Sequence, residues 1–138
     1  MSDDHFRGRI AQKALLVRSG KVLVTRDSRD NKFELPGGRL DNGEEPKEGM
    51  LREIREELGV QAQIEEIFDI RTAWHARDEE TMIFIYYVLS MVDETAAFTP
   101  DPLEVAQMQW VDAESVNDLK YFEQFEEVLE SYFKQLAK

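Results

Sequence analysis

The stretch Gly38–Val60, GRLDNGEEPKEGMLREIREELGV, decides how the rest of the chain is read. Pro46 suits the first turn of a helix and Gly59 suits the position just past a helix end, so the spacing predicts a helix over 46–58. At about 100° per residue, Glu53, Glu56 and Glu57 share an arc about 100° wide. Met50, Ile54, Leu58 and Leu51 fall on a separate apolar arc, roughly 60° to 160° from Glu53. One side of this helix packs, and another carries three carboxylates.

Stability alone does not choose that arrangement. Glu53 opposes Glu57 at i,i+4 and Glu56 at i,i+3, each like-charge pair costing about 0.2–0.5 kcal/mol. Glu56 and Glu57 also sit in the last turn, where the helix dipole disfavours anions by about 0.3–1 kcal/mol. A divalent cation would supply the compensation, because three carboxylates are hard oxygen ligands of the kind that Mg²⁺ or Mn²⁺ takes together with water and phosphate. The competing reading is a solvated Glu-rich face. Arg52 gives that reading some support by reaching Glu56 at i,i+4.

The same stretch spells G-x5-E-x7-R-E-U-x-E-E-x-G-U, with U apolar, at Gly38, Glu44, Arg52, Glu53, Ile54, Glu56, Glu57, Gly59 and Val60. The chain therefore resembles the Nudix hydrolases of MutT-like type, and Leu35-Pro36-Gly37-Gly38 is similar to that family's lead-in. The resemblance implies an α+β fold, a Nudix-type α/β/α sandwich with a mixed sheet. It implies an Mg²⁺-dependent hydrolase (Mn²⁺ being an alternative) that cleaves the pyrophosphate bond of a nucleoside diphosphate linked to X. Residue by residue, Glu53, Glu56 and Glu57 match the metal-binding carboxylates, with Glu53 or Glu57 also helping to activate water. Glu44 matches a secondary metal-site or structural glutamate. Arg52 matches the arginine that orients the catalytic glutamates. Gly37 and Gly38 match a loop whose backbone approaches the metal or phosphates. Two departures are visible: Gly49 stands where the family often has alanine, at about 1 kcal/mol of helix propensity, and Phe33 stands where many members carry tryptophan.

Outward from this stretch, the apolar runs Ile10–Val17 and Lys21–Thr25 flank Ser19-Gly20 and read as a β-hairpin. Phe33-Glu34-Leu35 reads as a short strand stopped by Pro36-Gly37-Gly38. Gln61–Arg71, Thr81–Val92 and Val105–Val111 read as further strands, and Glu114–Leu119 as a short helix or turn. Apolar residues at helical spacing from Tyr121 to Leu136 predict a C-terminal helix over 121–136. Residues 1–8 read as a loose leader, and the length of 138 residues suits one domain over 1–138.

Composition narrows the partners. With 29 acidic and 17 basic residues the formal charge is −12, so long nucleic acid and anionic membranes are disfavoured as partners. A compact phosphate arriving with its metal is not, because bound cations invert the local field. The absence of cysteine excludes disulfides, zinc thiolates and cysteine nucleophiles. The longest apolar stretch, Met82–Val92, is too short for a membrane helix, and a cytoplasmic location is expected. Gly38-x4-Gly43 precedes Glu44 instead of lysine, so it is no phosphate-cradling P-loop.

Outside the helix, Glu104 in the loop Asp101-Pro102-Leu103-Glu104 resembles the acidic loop residue that several family members use as general base. Its alternative is an ordinary loop acid, and Glu79 and Glu80 are weaker candidates of the same kind. Trp74 and Phe33 are candidates to stack on a base, or else pack in the core. Arg26 and Arg39 are candidates to meet substrate phosphates, or else plain surface charges. His75 is a surface or core histidine, or a substrate contact. No proline or tyrosine lies between Val60 and Met82, so the family's ADP-ribose and dinucleoside-polyphosphate markers are missing. Elimination leaves a nucleoside triphosphate or a similar small nucleotide. A catalytically silent nucleotide- or protein-binding Nudix module, and an acidic metal-binding domain without turnover, are the alternatives. A homodimer is implied only by the resemblance.

Overall fold

The computed structural model describes residues 4–138. The leader expected over 1–8 falls partly outside them; of the described part, residues 4–9 are exposed and outside any strand or helix. Strands β1 (Ile10–Arg18) and β2 (Lys21–Arg26) form the expected hairpin, with Arg18 opposite Lys21 and Val17 opposite Val22. Ser19 and Gly20 both take positive φ, 52° and 78°, as a two-residue hairpin turn requires. Then follow β3 (Gly37–Arg39), helix α1 (Pro46–Leu58), β4 (Ala62–His75), β5 (Glu80–Met91), β6 (Gln107–Val111), a single 3₁₀ turn at Val116–Asp118, and helix α2 (Phe125–Leu136).

The sheet order is β4-β5-β1-β2-β6, with β3 also paired to β1. The β1–β5 pair is parallel and the others are antiparallel, so the sheet is mixed. Strand alternation sorts the core into two layers. Leu15, Val22, Val24, Phe84 and Tyr86 face Phe125, Val128, Leu129 and Phe133 of α2. Ala14, Leu16, Leu23, Tyr87 and Leu89 face Met50, Ile54 and Leu58 of α1. The expected α/β/α sandwich is what forms.

Several boundaries differ from the sequence reading: β4 runs on to His75 instead of ending at Arg71, and β6 begins at Gln107 instead of Val105. The strand expected at Phe33–Leu35 is reduced to isolated bridges, Thr25 with Glu34 and Phe33 with Tyr121. The strand lies instead at Gly37–Arg39, against β1. Gly37 reaches it at φ 143°, and a Cβ there would collide with the Gln12 carbonyl, so the glycines read as a strand stop are what let the chain come this close. At the C-terminus, the helix begins at Phe125 and not at Tyr121. The Phe122 N–H bonds the Phe33 carbonyl at 3.0 Å and the Phe33 N–H bonds the Lys120 carbonyl at 2.7 Å. Glu123 then takes φ 44°. Tyr121 and Phe122 have helical spacing but are claimed by a strand-like partner.

Candidate active site

Helix α1 starts with Pro46 in its first turn and ends on Gly59 at φ 68°, whose N–H bonds the Arg55 carbonyl. Its last two carbonyls are capped from outside: the Thr99 N–H bonds Leu58 at 2.9 Å and the Asp101 N–H bonds Glu57 at 2.8 Å. This satisfies acceptors that a helix end leaves open and docks the loop after β5 on the end of α1. Within that loop the Val105 N–H bonds the Asp101 carbonyl, and buried Val105 anchors it in the core. Glu104 is thereby held beside Glu57. Local capping chemistry, and not sequence proximity, brings the two carboxylates together.

The result is a polar cleft of about 430 Å³ whose wall includes Gly37, Gly38, Arg39, Glu53, Glu57 and Glu104. Glu57 is the buried member, and its Oε2 accepts the Gly37 N–H at 2.8 Å. Burial pushes the Glu57 carboxyl up to about 8, with Lys13 and the Gly37 N–H pulling it down and Glu104 and Glu34 adding repulsion. Burial also raises Glu53 and Glu104, which Glu56 raises further in both cases. Glu53 lies flat against Gly38: a Cβ there would stand 2.7–2.9 Å from its carboxyl atoms. Gly38 therefore gives Glu53 its place in the cleft.

The helix arc that groups Glu53, Glu56 and Glu57 in projection is split by the fold. Glu57 turns inward toward Gly37. Glu56 stays largely in solvent, its Oε2 held by Arg52 Nη1 at 2.9 Å, and it does not line the cleft. Arg52 also donates from Nε to Glu44 at 2.7 Å and from Nη2 to Glu53 at 3.2 Å. One guanidinium thus spaces three glutamates. Glu44 is spent on this arginine, which lowers its pKa, and it too stays out of the cleft wall. Gly49 explains itself here: a Cβ at that position would come within 2.6 Å of the Glu44 carboxyl.

Of the expected substrate contacts, Gly38 and Arg39 line both the cleft and an adjoining cavity of about 530 Å³. Arg39 pairs with Asp78. Trp74 sits on the rim of that cavity and is 60% exposed. Arg26 does not face either space. Its guanidinium bonds the carbonyls of Asp27 and Asp30 and the Gln107 side chain, and so braces the 27–30 loop. Phe33 is buried in the α2-side core, clamped by Lys120 and Phe122, which removes it as a stacking surface. Glu79 and Glu80 lie at the β4–β5 turn, with Glu80 paired to Arg9, and neither lines the cleft. His75 lines the adjoining cavity.

Sequence reasoning missed Lys13, Glu34, Arg77 and Glu123, all of which line the cavity. Lys13 pairs with Glu34 at 3.5 Å with little exposure. A lysine inside the apolar run Ile10–Val17 was the available signal. The other three carry none in sequence, because the fold alone brings them together.

Among the described residues no three carboxylates or imidazoles form a ready metal cage. The donor set still fits a hard cation. Glu53, Glu57 and Glu104 are all oxygen donors, and burial raises the pKa of each. Mg²⁺ characteristically takes only one or two protein carboxylates and completes its shell with water and substrate phosphate.

A family model described as the NUDIX domain matches residues 8–132. The chain belongs to the Nudix family. Among curated relatives it is 33% identical over 64 residues to the 8-oxo-dGTP diphosphatase of Escherichia coli (strain K12), covering 44% of this chain and 50% of that protein. It is 31% identical over 100 residues to the ADP-ribose pyrophosphatase of Bacillus subtilis (strain 168), covering 68% and 54%. The chain thus spans about half the length of these two relatives. The solved MutT protein from Methanosarcina mazei Go1 superposes with a TM-score of 0.78 at 24% identity, covering 94% of this chain and 96% of that one. That likeness extends the Nudix fold over nearly the whole chain. The cleft lies where the Nudix box helix meets the Gly37–Arg39 strand.

Proposed function

We propose that the protein is an Mg²⁺-dependent Nudix pyrophosphohydrolase that cleaves the phosphoric anhydride bond of a small nucleotide, a nucleoside triphosphate being the first choice. The observation that carries this reading is the buried Glu57 carboxylate, held by the Gly37 N–H and facing Glu53 and Glu104 across an open polar cleft. Burying a carboxylate without a cation is costly, and a fold that does so on purpose marks a site.

In this proposal Glu53 and Glu57 hold the cation, and the backbone at Gly37 lies close enough to contribute. When bound, the cation neutralises the diphosphate oxygens and lowers the pKa of water. Glu104 takes the proton from the attacking water as general base, for which a raised pKa is suitable. Arg52 positions Glu53 and keeps Glu56 and Glu44 in its orbit. Glu56 reinforces the negative field from the solvent side, and Glu44 acts through Arg52. Arg39 and Arg77, at the junction of cleft and cavity, meet the phosphates. No helix among the described residues is long and apolar enough to cross a membrane, and we place the enzyme in the cytoplasm with free nucleotides as its partners.

The test is a panel of nucleoside triphosphates, nucleotide sugars and ADP-ribose incubated with purified protein and Mg²⁺, with products resolved by chromatography. Metal-dependent release of a nucleoside monophosphate supports the proposal. No product from any member, with nucleotide binding intact, would favour the silent binding module instead. Glu104→Gln is expected to lower kcat about 10²-fold or more, and full activity in that variant would remove Glu104 as the base.

A further inference from the structure

The turn at 76–79 joins His75 of β4 to its partner Glu80 of β5. It is a tight one. Glu79 takes φ 50°, a conformation that non-glycine residues seldom adopt, and the Asp78 N–H bonds Nδ1 of His75 at 3.3 Å. Arg77 of this turn lines both the cleft and the adjoining cavity, and among the described residues it pairs with no carboxylate. Arg39, at the end of β3, lines both spaces as well. The junction of cleft and cavity thus carries two guanidinium groups from separate parts of the chain.

Asp78 ties these parts together. Its Oδ2 pairs with Nη2 of Arg39 and also with Nη1 of Arg9 at 3.3 Å. Arg9 reaches Glu80 from Nε at 3.2 Å, and its carbonyl accepts the Ile83 N–H at 3.0 Å. One carboxylate therefore joins the turn to the residue before β1 and to the end of β3. Its side chain is 23% exposed, against 47% for Arg9 and 46% for Arg39, so it is the covered member of the cluster. Neither stability nor charge accounts for a carboxylate here. Exposed ion pairs add little to stability, and a negative charge at the rim opposes a polyanionic ligand. What Asp78 supplies is geometry. A guanidinium held at Nη2 has lost its freedom to wander and keeps other N–H donors for a phosphate.

We infer that Asp78 is a positioning residue for the substrate's phosphate chain: it clamps Arg39 and pins the turn that carries Arg77, so that both guanidinium groups meet the phosphates already oriented. This inference rests on the reading of the chain as a nucleotide hydrolase. Asp78 acts through the two arginines and has no part in holding the cation or moving a proton. Positioning and plain charge predict opposite signs. A carboxylate that acts by its field alone weakens polyanion binding, so removing it tightens the complex. A carboxylate that orders its arginines in advance strengthens binding, so removing it loosens the complex.

The test has a binding arm and a kinetic arm. Inorganic tripolyphosphate with Mg²⁺ is titrated by calorimetry against the wild type, Asp78→Asn, Asp78→Glu, and Arg39→Gln/Arg77→Gln with and without Asp78→Asn. In the same proteins kcat and KM are measured for GTP with Mg²⁺, and thermal unfolding checks that each is folded. Asp78→Asn is expected to weaken tripolyphosphate binding about tenfold. KM should rise by a similar factor while kcat stays within about twofold, and Asp78→Glu should recover part of the loss. Where both arginines are already gone, Asp78→Asn should change neither quantity. Equal or tighter binding by Asp78→Asn would overturn the inference, and so would an undiminished effect without the two arginines. No tripolyphosphate binding by the wild type would overturn it too, as would an unfolded Asp78→Asn, which would assign the cluster to stability. Hydrolysis of GTP with KM unmoved in Asp78→Asn defeats this inference alone. Weakened tripolyphosphate binding in a protein that hydrolyses no nucleotide supports it and defeats only the catalytic reading.

Discussion

The cleft and the cavity share a wall but are built in opposite ways. The cleft places its carboxylates from one helix and one capping loop against a three-residue strand, with the 27–30 loop and Arg77 completing the wall, and those carboxylates repel each other. The cavity draws residues from β1, β5, the β4–β5 turn and the segment before α2, and it sets an apolar floor among the charged side chains of Lys13, Lys32, Glu34, Arg39, Arg77 and Glu123. Chemistry that depends on dense charge needs a short, stiff scaffold, which a helix provides. Selection among ligands needs a shaped surface, which only distant parts of the chain can frame. The difference separates reaction from specificity on one molecule.

If that division holds, changes in the cleft should strike the rate and leave base preference alone. The largest effect is expected from Glu57→Gln, which should lower kcat about 10³-fold or more with every nucleotide. Its fold should survive, since the amide can still accept the Gly37 N–H. Gly38→Ala comes next. Its Cβ would meet the carboxyl end of Glu53, a flexible group that can shift, so kcat should fall about ten- to hundredfold while Tm hardly moves.

The cleft should also announce itself in the pH dependence of stability. Glu57 is raised to about 8, and Glu53 and Glu104 are raised as well, in each case chiefly by burial. Acids with raised values bind protons more tightly in the folded chain. Their stabilisation is complete below the ordinary glutamate range and is lost as pH climbs through about 8. Without divalent cation, Tm should therefore decline with rising pH over this window. Glu57→Gln should flatten the decline, and Mg²⁺ should raise Tm more at the alkaline end than at the acid end. A decline of equal slope in Glu57→Gln would assign it to the net charge of −12 instead.

The smallest effect tests a contrast within the helix region. Gly49 underlies Glu44 as Gly38 underlies Glu53, but Glu44 faces Arg52 and not the cleft. Gly49→Ala should gain up to about 1 kcal/mol of helix propensity and displace the end of Glu44. The net change in stability should be small, and kcat should fall far less than in Gly38→Ala. Equal losses of rate would place Glu44 inside the catalytic cluster.

Much of this was legible in sequence wherever the cause is local. Pro46, Gly59 and the 3.6-residue spacing marked α1, and Ser19-Gly20 marked the hairpin. The same spacing ran too far at the other helix, because Tyr121 and Phe122 are apolar for a different reason: they answer Phe33. The helical wheel put Glu56 and Glu57 on one arc, yet it could not say where the sheet and Arg52 would divide that arc. Phe33 looked available for ligand because its partners, Lys120 and Phe122, lie far along the chain, and Arg26 because it is taken up by backbone carbonyls of the 27–30 loop and by distant Gln107, which no side-chain pattern records. Asp78 was invisible for a related reason. Its partners Arg9 and Arg39 stand far from it in the chain.

The central claim is that the cleft around Glu57 holds the divalent cation on which activity depends. Mn²⁺ titration followed by electron paramagnetic resonance, comparing the wild type with Glu57→Gln near pH 8, tests it most directly. The account predicts at least about tenfold weaker Mn²⁺ binding in the variant. Equal affinity in the two proteins would contradict it.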